Sequence, residues 1–180
     1  MTSTKQRLFK AGGAAVLMAP CFWQSRIHAG DLSSHIYNAW LATLIEKGQA
    51  PGLVIKPMFT NILFDLLLET LLKWFGPDWA QRIAAALVVL VFAAGVLAFL
   101  NAASRKPSWF LFPLVAMLSY GWIFHMGFFN YELSLGFSLM ALSLLMRPAR
   151  GSAVACVLLL AIAFTAHFMP ALWAAGLAAY

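Results

Sequence analysis

Between Ile83 and Leu100 the chain carries no polar side chain, and Arg82 and Asn101 bracket the run. A helix of that length reaches roughly 27 Å, close to the thickness of a bilayer's hydrocarbon core. A surface helix of a soluble domain keeps one polar face, and this one has none. The run therefore commits the chain to a membrane, and composition agrees. The protein is 63% hydrophobic and 10% charged, with a mean hydropathy of +0.83. A soluble domain carries roughly 25% charged residues.

Other apolar stretches follow the same logic. They predict spans over residues 8–27, 83–100, 109–129, 131–146 and 153–180, the last broken by His167 and Pro170. The first stretch, with Lys5, Arg7 and Lys10 ahead of it, also has the form of a signal peptide. The region Arg26-Ile27-His28-Ala29-Gly30 is a poor cleavage site, so an uncleaved first span is expected.

Residues 58–75 decide the threading. Asn61, Asp65, Glu69 and Lys73 recur every four residues and so share one helical face, while the remaining positions are apolar apart from Thr60 and Thr70. Carboxylates at mid-bilayer cost about 2.5–3.5 kcal/mol each on insertion scales. A polar stripe opposite an apolar face describes a helix lying in the interface. Residues 31–49 read as a second interfacial helix, with Leu32, Ile36, Trp40, Leu41, Leu44 and Ile45 at helical spacing. Asp31 stands at its N-cap, and Gly48 and Pro51 end it.

The expected fold class is thus all-α: a polytopic transmembrane helix bundle with two interfacial helices in the first external loop. This threading places all six carboxylates on one side, with His28, His35, His125 and His167. Lys5, Arg7, Lys10, Arg105, Lys106, Arg147 and Arg150 fall on the other side, where the positive-inside rule puts the cytoplasm. The expected location is the cytoplasmic (inner) membrane, multi-pass, with the N-terminus cytoplasmic and the active face extracytoplasmic. The net charge of +6 sits in short clusters beside apolar spans and does not indicate nucleic acid. Cys21 and Cys156 fall at opposite ends of their spans, and no disulfide is expected. The C-terminus, Leu177-Ala178-Ala179-Tyr180, has no flanking charge, so the chain is expected to be the N-terminal part of a larger protein.

The arrangement resembles the C-type (GT-C) membrane glycosyltransferase superfamily, which includes the protein O-mannosyltransferases. The resemblance begins at Gly30-Asp31-Leu32-Ser33-Ser34-His35-Ile36-Tyr37-Asn38-Ala39-Trp40. It continues through Asn61-Ile62-Leu63-Phe64-Asp65 to Trp74-Phe75-Gly76, and then Gly76-Pro77-Asp78-Trp79-Ala80-Gln81-Arg82-Ile83. Two departures stand out. The superfamily's His-Pro-Pro element is replaced by Lys56-Pro57, and no second acid flanks Asp31. The resemblance implies transfer of a sugar from a polyprenyl-phosphate donor to an acceptor at the extracytoplasmic face, with membrane lipid as a partner.

Asp31 is the candidate catalytic base, for which an N-cap is the plainer role. His35, one turn later, is a candidate to orient Asp31 or bind phosphate. His125, Asn130, Glu132 and His167 are further candidate substrate-binding residues near the outer ends of spans. Trp23, Trp40, Trp74, Trp79 and Trp122 read as an interfacial belt. A divalent metal is a possible cofactor, since Asp31, His35, His125, Glu132 and His167 supply oxygen and nitrogen donors. A metal-dependent membrane hydrolase or transferase is therefore one alternative, and bound metal after purification would favour it. A transporter fragment is another, favoured by uptake into vesicles, but transporters bind substrate near the midplane rather than at one interface.

Overall fold

The computed structural model describes residues 3–180, and among these there is helix but no strand. The elements are α1 (Ser3–Met18), α2 (Leu32–Glu46), α3 (Leu63–Ser104), α4 (Phe112–Ser119), α5 (Trp122–Met126), α6 (Phe129–Met146), α7 (Ser152–Ala166) and α8 (Phe168–Ala179). Leu63–Ser104, Trp109–Met126 and Phe129–Met146 are long and apolar enough to cross a membrane. Large apolar side chains such as Val154, Val157 and Leu158 on α7 face outward, where only lipid would cover them without cost. The chain is a membrane protein.

Several expected boundaries move. The first stretch, 8–27, is helical only to Met18 and then passes into a 3₁₀ turn, Ala19–Cys21, containing Pro20. Proline interrupts the ladder and residues 22–31 leave the helix, so α1 is not among the helices of spanning length. The stretch 109–129 is kinked at Tyr120–Gly121 and turned at Gly127. The stretch 153–180 is two helices, because His167 is extended (φ −161, ψ 129). Pro170 explains the break: it cannot donate to the carbonyl of Ala166, and its ring would collide with that carbonyl in a continuous helix.

The interfacial helix expected over 58–75 starts at Leu63 and runs into the long apolar segment as one 42-residue element. Gly76 divides it with φ 72 and ψ 171, a conformation open essentially only to glycine. Pro77 then begins the second half, where its missing N–H costs nothing. The polar stripe is only partly open to water, with Asn61 and Lys73 exposed and Asp65 and Glu69 half-buried. It faces α2: Lys73 pairs with Glu46 at 2.8 Å and Glu69 at 2.6 Å, and Asp65 meets His35. Phe64 and Leu68, on the neighbouring face, are fully buried.

The largest interface lies between α3 and α6. Small residues allow it, including Ala84, Ala85, Ala93 and Gly95 on α3 and Ser134, Gly136, Ser138 and Ala141 on α6. A Cβ on Gly95 would overlap the carbonyl of Gly136, so the two backbones touch there. Basic groups gather at one end of this pair. Arg147 donates to the Asn101 carbonyl at 2.7 Å, and Lys10 lies 5.6 Å from the Trp109 ring. Cys21 and Cys156 are free and buried.

Candidate functional site

The site is built around a backbone clamp. The segment between α1 and α2 is irregular, and it is tied down from two sides. Arg82 donates to the Ser25 carbonyl at 2.9 Å. At the α5–α6 turn, Gly30 N donates to the His125 carbonyl at 2.8 Å and Asp31 N to the Met126 carbonyl at 3.0 Å. Gly127 makes this possible with φ +79, since a Cβ there would lie 2.5 Å from Asp31 N. Gly127→Ala should therefore cost more than the about 1–2 kcal/mol that a left-handed alanine costs alone. Gly48→Ala isolates that backbone cost, because Gly48 has φ +69 and open space around it. Thermal unfolding of the two variants in detergent measures the difference, and equal losses would deny the clamp any role.

Asp31 starts α2 but makes no side-chain cap bond. Its carboxylate is free for other work and its side chain is 52% exposed. One turn on, the His35 ring is held between two acids. Nδ1 lies 2.9 Å from Asp65 Oδ1, and Nε2 lies 3.9 Å from Asp31 Oδ2. A carboxylate accepts only, so Nδ1 carries the hydrogen and Nε2 points toward Asp31. Asp65 is fixed in turn by Asn130 Nδ2 at 3.2 Å. Asn130 is itself buried, and its Oδ1 accepts from Phe64 N at 2.8 Å, satisfying one free amide of the first turn of α3. Phe64 closes the underside, with its ring centroid 5.3 Å from His35.

Burial lowers the affinity of His35 for a proton, but the Asp65 hydrogen bond and the charges of Asp65 and Asp31 outweigh it. The imidazole therefore titrates above its ordinary value of roughly 6.5. A raised folded-state value makes protonation stabilising. That contribution is full below the unfolded value and is lost as pH rises through the folded one. The stability advantage of wild type over His35→Gln should therefore shrink as pH rises from about 6 to 9. A constant gap in unfolding temperature across that window would contradict the ion-paired imidazole.

Asp31, His35, Asn130 and His167 line one cavity of about 530 Å³, together with Asn61, Trp122, Tyr131 and Met169. His167 reaches it because the helix breaks there. Its Nδ1 accepts from Met169 N at 3.2 Å, so Nε2 carries the hydrogen, and its ring lies 5.4 Å from Tyr131. Asn61 reaches it because Thr60 and Ile62 are bonded to the carbonyls of Phe164 and Thr165. No family model matches the chain, and comparison with curated proteins and with solved structures gave no match.

Two of the sequence candidates lie elsewhere. His125 borders a separate cavity beside the end of α1. Glu132 is buried in the interior, and neither carboxylate oxygen has a hydrogen-bond partner among the described residues. Among the described residues no three His, Cys, Asp or Glu side chains are grouped to hold a metal ion. The donor set of Asp31, His35, His125, Glu132 and His167 is divided among three places, and His35 Nδ1 is taken by Asp65. Among the described residues this donor set does not come together to fit a divalent metal.

Asp65 is a site residue that its sequence context does not reveal. Its spacing with Asn61, Glu69 and Lys73 marks a shared face but not what covers it. His35 on α2 covers it, so Asp65→Asn removes a charge from the buried side of the site. Trp122, expected in the interfacial belt, lines the cavity.

Proposed function

We propose that this chain is a polytopic membrane glycosyltransferase that takes a sugar from a polyprenyl-phosphate donor at the extracytoplasmic face of the cytoplasmic membrane. Three features support the topology. The basic groups Lys10, Arg105, Lys106 and Arg147 lie near one end of the α3–α6 pair. Asp31, Asp65 and the cavity lie toward the other, and α2 with the first half of α3 forms a polar seam alongside the spans. With the positive end cytoplasmic, the cavity opens outward.

The observation that carries the chemistry is an uncapped, half-exposed Asp31 carboxylate at the mouth of a cavity with both polar and apolar walls. Trp122, Ile123, Phe128 and Met169 offer a surface for a prenyl chain, and Asn61, Asn130, Tyr131 and His167 offer donors and acceptors for a phosphosugar. Asp31 accepts the proton of the acceptor hydroxyl as its oxygen bonds to the anomeric carbon. The bond from that carbon to the phosphate oxygen breaks, and polyprenyl phosphate leaves with the electron pair. His35, backed by Asp65, sets its Nε2 edge 3.9 Å from the Asp31 carboxylate. The test is transfer by membranes carrying the protein, supplied with a radiolabelled polyprenyl-phosphate sugar. Label moving from donor to acceptor only when the protein is present supports the reading, and no protein-dependent loss of donor sinks it.

A further inference from the structure

The cavity that His125 borders has a different chemistry. It encloses about 680 Å³ between the end of α1, the segment after it, and the α4–α5 region. Arg26, His28 and His125 all border it, and no carboxylate does. None of the three side chains makes a hydrogen bond or ion pair among the described residues. The rest of the lining is largely apolar. Met117 and Trp23, each 73% exposed, extend that wall to the outer surface of the helices. An adjoining cavity on the other side of the same segment also borders Arg26 and His28, but it carries Asp78 and does not suit an anion.

We propose that this groove is a binding site for an anionic phospholipid of the surrounding bilayer. The headgroup phosphate sits among Arg26, His28 and His125, and the acyl chains run down the Ala116 and Met117 face of α4. Three features favour this occupant. Cationic and imidazole donors without a competing carboxylate complement a phosphate. The apolar wall opens sideways onto the lipid-facing surface, as acyl chains require and free phosphate does not. Trp23 at the rim is the residue type that settles at headgroup level. The site is separate from the cavity at Asp31. The Gly30–His125 and Asp31–Met126 backbone bonds run between the two, so bound lipid would brace the clamp from its open side. The proposal is independent of any catalytic role for Asp31.

Retained lipid on the purified full chain, counted by native mass spectrometry, tests it. The protein is equilibrated in detergent with phosphatidylglycerol, phosphatidylcholine, polyprenyl phosphate or inorganic phosphate. Phosphatidylglycerol should be retained in clear excess over phosphatidylcholine. One basic side chain near the surface of an anionic membrane is worth about a fivefold change in binding. Arg26→Gln should therefore lower retention about fivefold, with His125→Gln acting in the same direction. Arg26→Lys should keep most of it, and Arg105→Gln, at the basic end of α3, should change nothing. Reading the single variants separately keeps the comparison valid if a combined variant misfolds. Equal retention of phosphatidylcholine, or equal loss with Arg105→Gln, would overturn the site. Displacement by inorganic phosphate alone would make it a free-anion site, and preference for polyprenyl phosphate would make it a donor site. Either result overturns the phospholipid.

Discussion

Asp31→Asn should lower sugar transfer by on the order of 10²–10⁴, the usual worth of a general base, while leaving the protein folded. The contrast is sharp because Asp31 makes no cap bond that asparagine would have to replace. Its backbone, held by Met126, does not depend on the side chain. Asp65→Asn should fall between wild type and Asp31→Asn. It keeps an acceptor for His35 Nδ1 but removes a charge that raises the imidazole's affinity for a proton. Initial rates at equal expression, with unfolding temperatures alongside, separate the two. Wild-type transfer by Asp31→Asn would remove it from the mechanism. An Asp31→Asn protein that unfolds early would make it structural.

Gly95→Leu should be the most damaging substitution for the fold. A leucine side chain there has to displace the Gly136 backbone, and Gly136 is equally close to Val91 and Phe92. Overpacking a tight interior costs about 1–3 kcal/mol and occasionally more, and a collision with backbone belongs at the top of that range. Gly176→Ala is the control, since nothing lies within 4 Å of its Cβ position and alanine favours helix. Loss of the monodisperse peak in detergent chromatography is expected for Gly95→Leu alone. Normal behaviour of that variant would mean that α3 and α6 do not meet at these glycines.

The helical character of the chain, and its membrane character, are legible in Ile83–Leu100 because an unbroken apolar run leaves no face for water. Pro170 and His167 are visible too, but only as a flaw in a span. That the flaw turns the chain, and brings His167 to the cavity, depends on the carbonyl of Ala166 having no room for the proline ring. Asp31 and His35 are legible as a pair because an i, i+4 spacing is local. Asp65 is not, because its partners lie on α2 and α6 and a spacing rule names no neighbour. Asn130 and Glu132 show the same limit two residues apart. One turn of α6 puts Asn130 against the start of α3 and the cavity, and Glu132 into the interior. Charge alone does not tell those faces apart.

The proposal that the cavity opens outward and binds the donor is tested most directly at Met169, which borders the cavity and is exposed. Met169→Cys, in a background with Cys21 and Cys156 replaced by alanine, is treated in intact cells with a membrane-impermeant maleimide. The expected result is labelling without permeabilisation, slowed about tenfold or more by a polyprenyl-phosphate sugar and not by the free sugar. Labelling only after the membrane is opened, or at a rate the donor leaves unchanged, would contradict it.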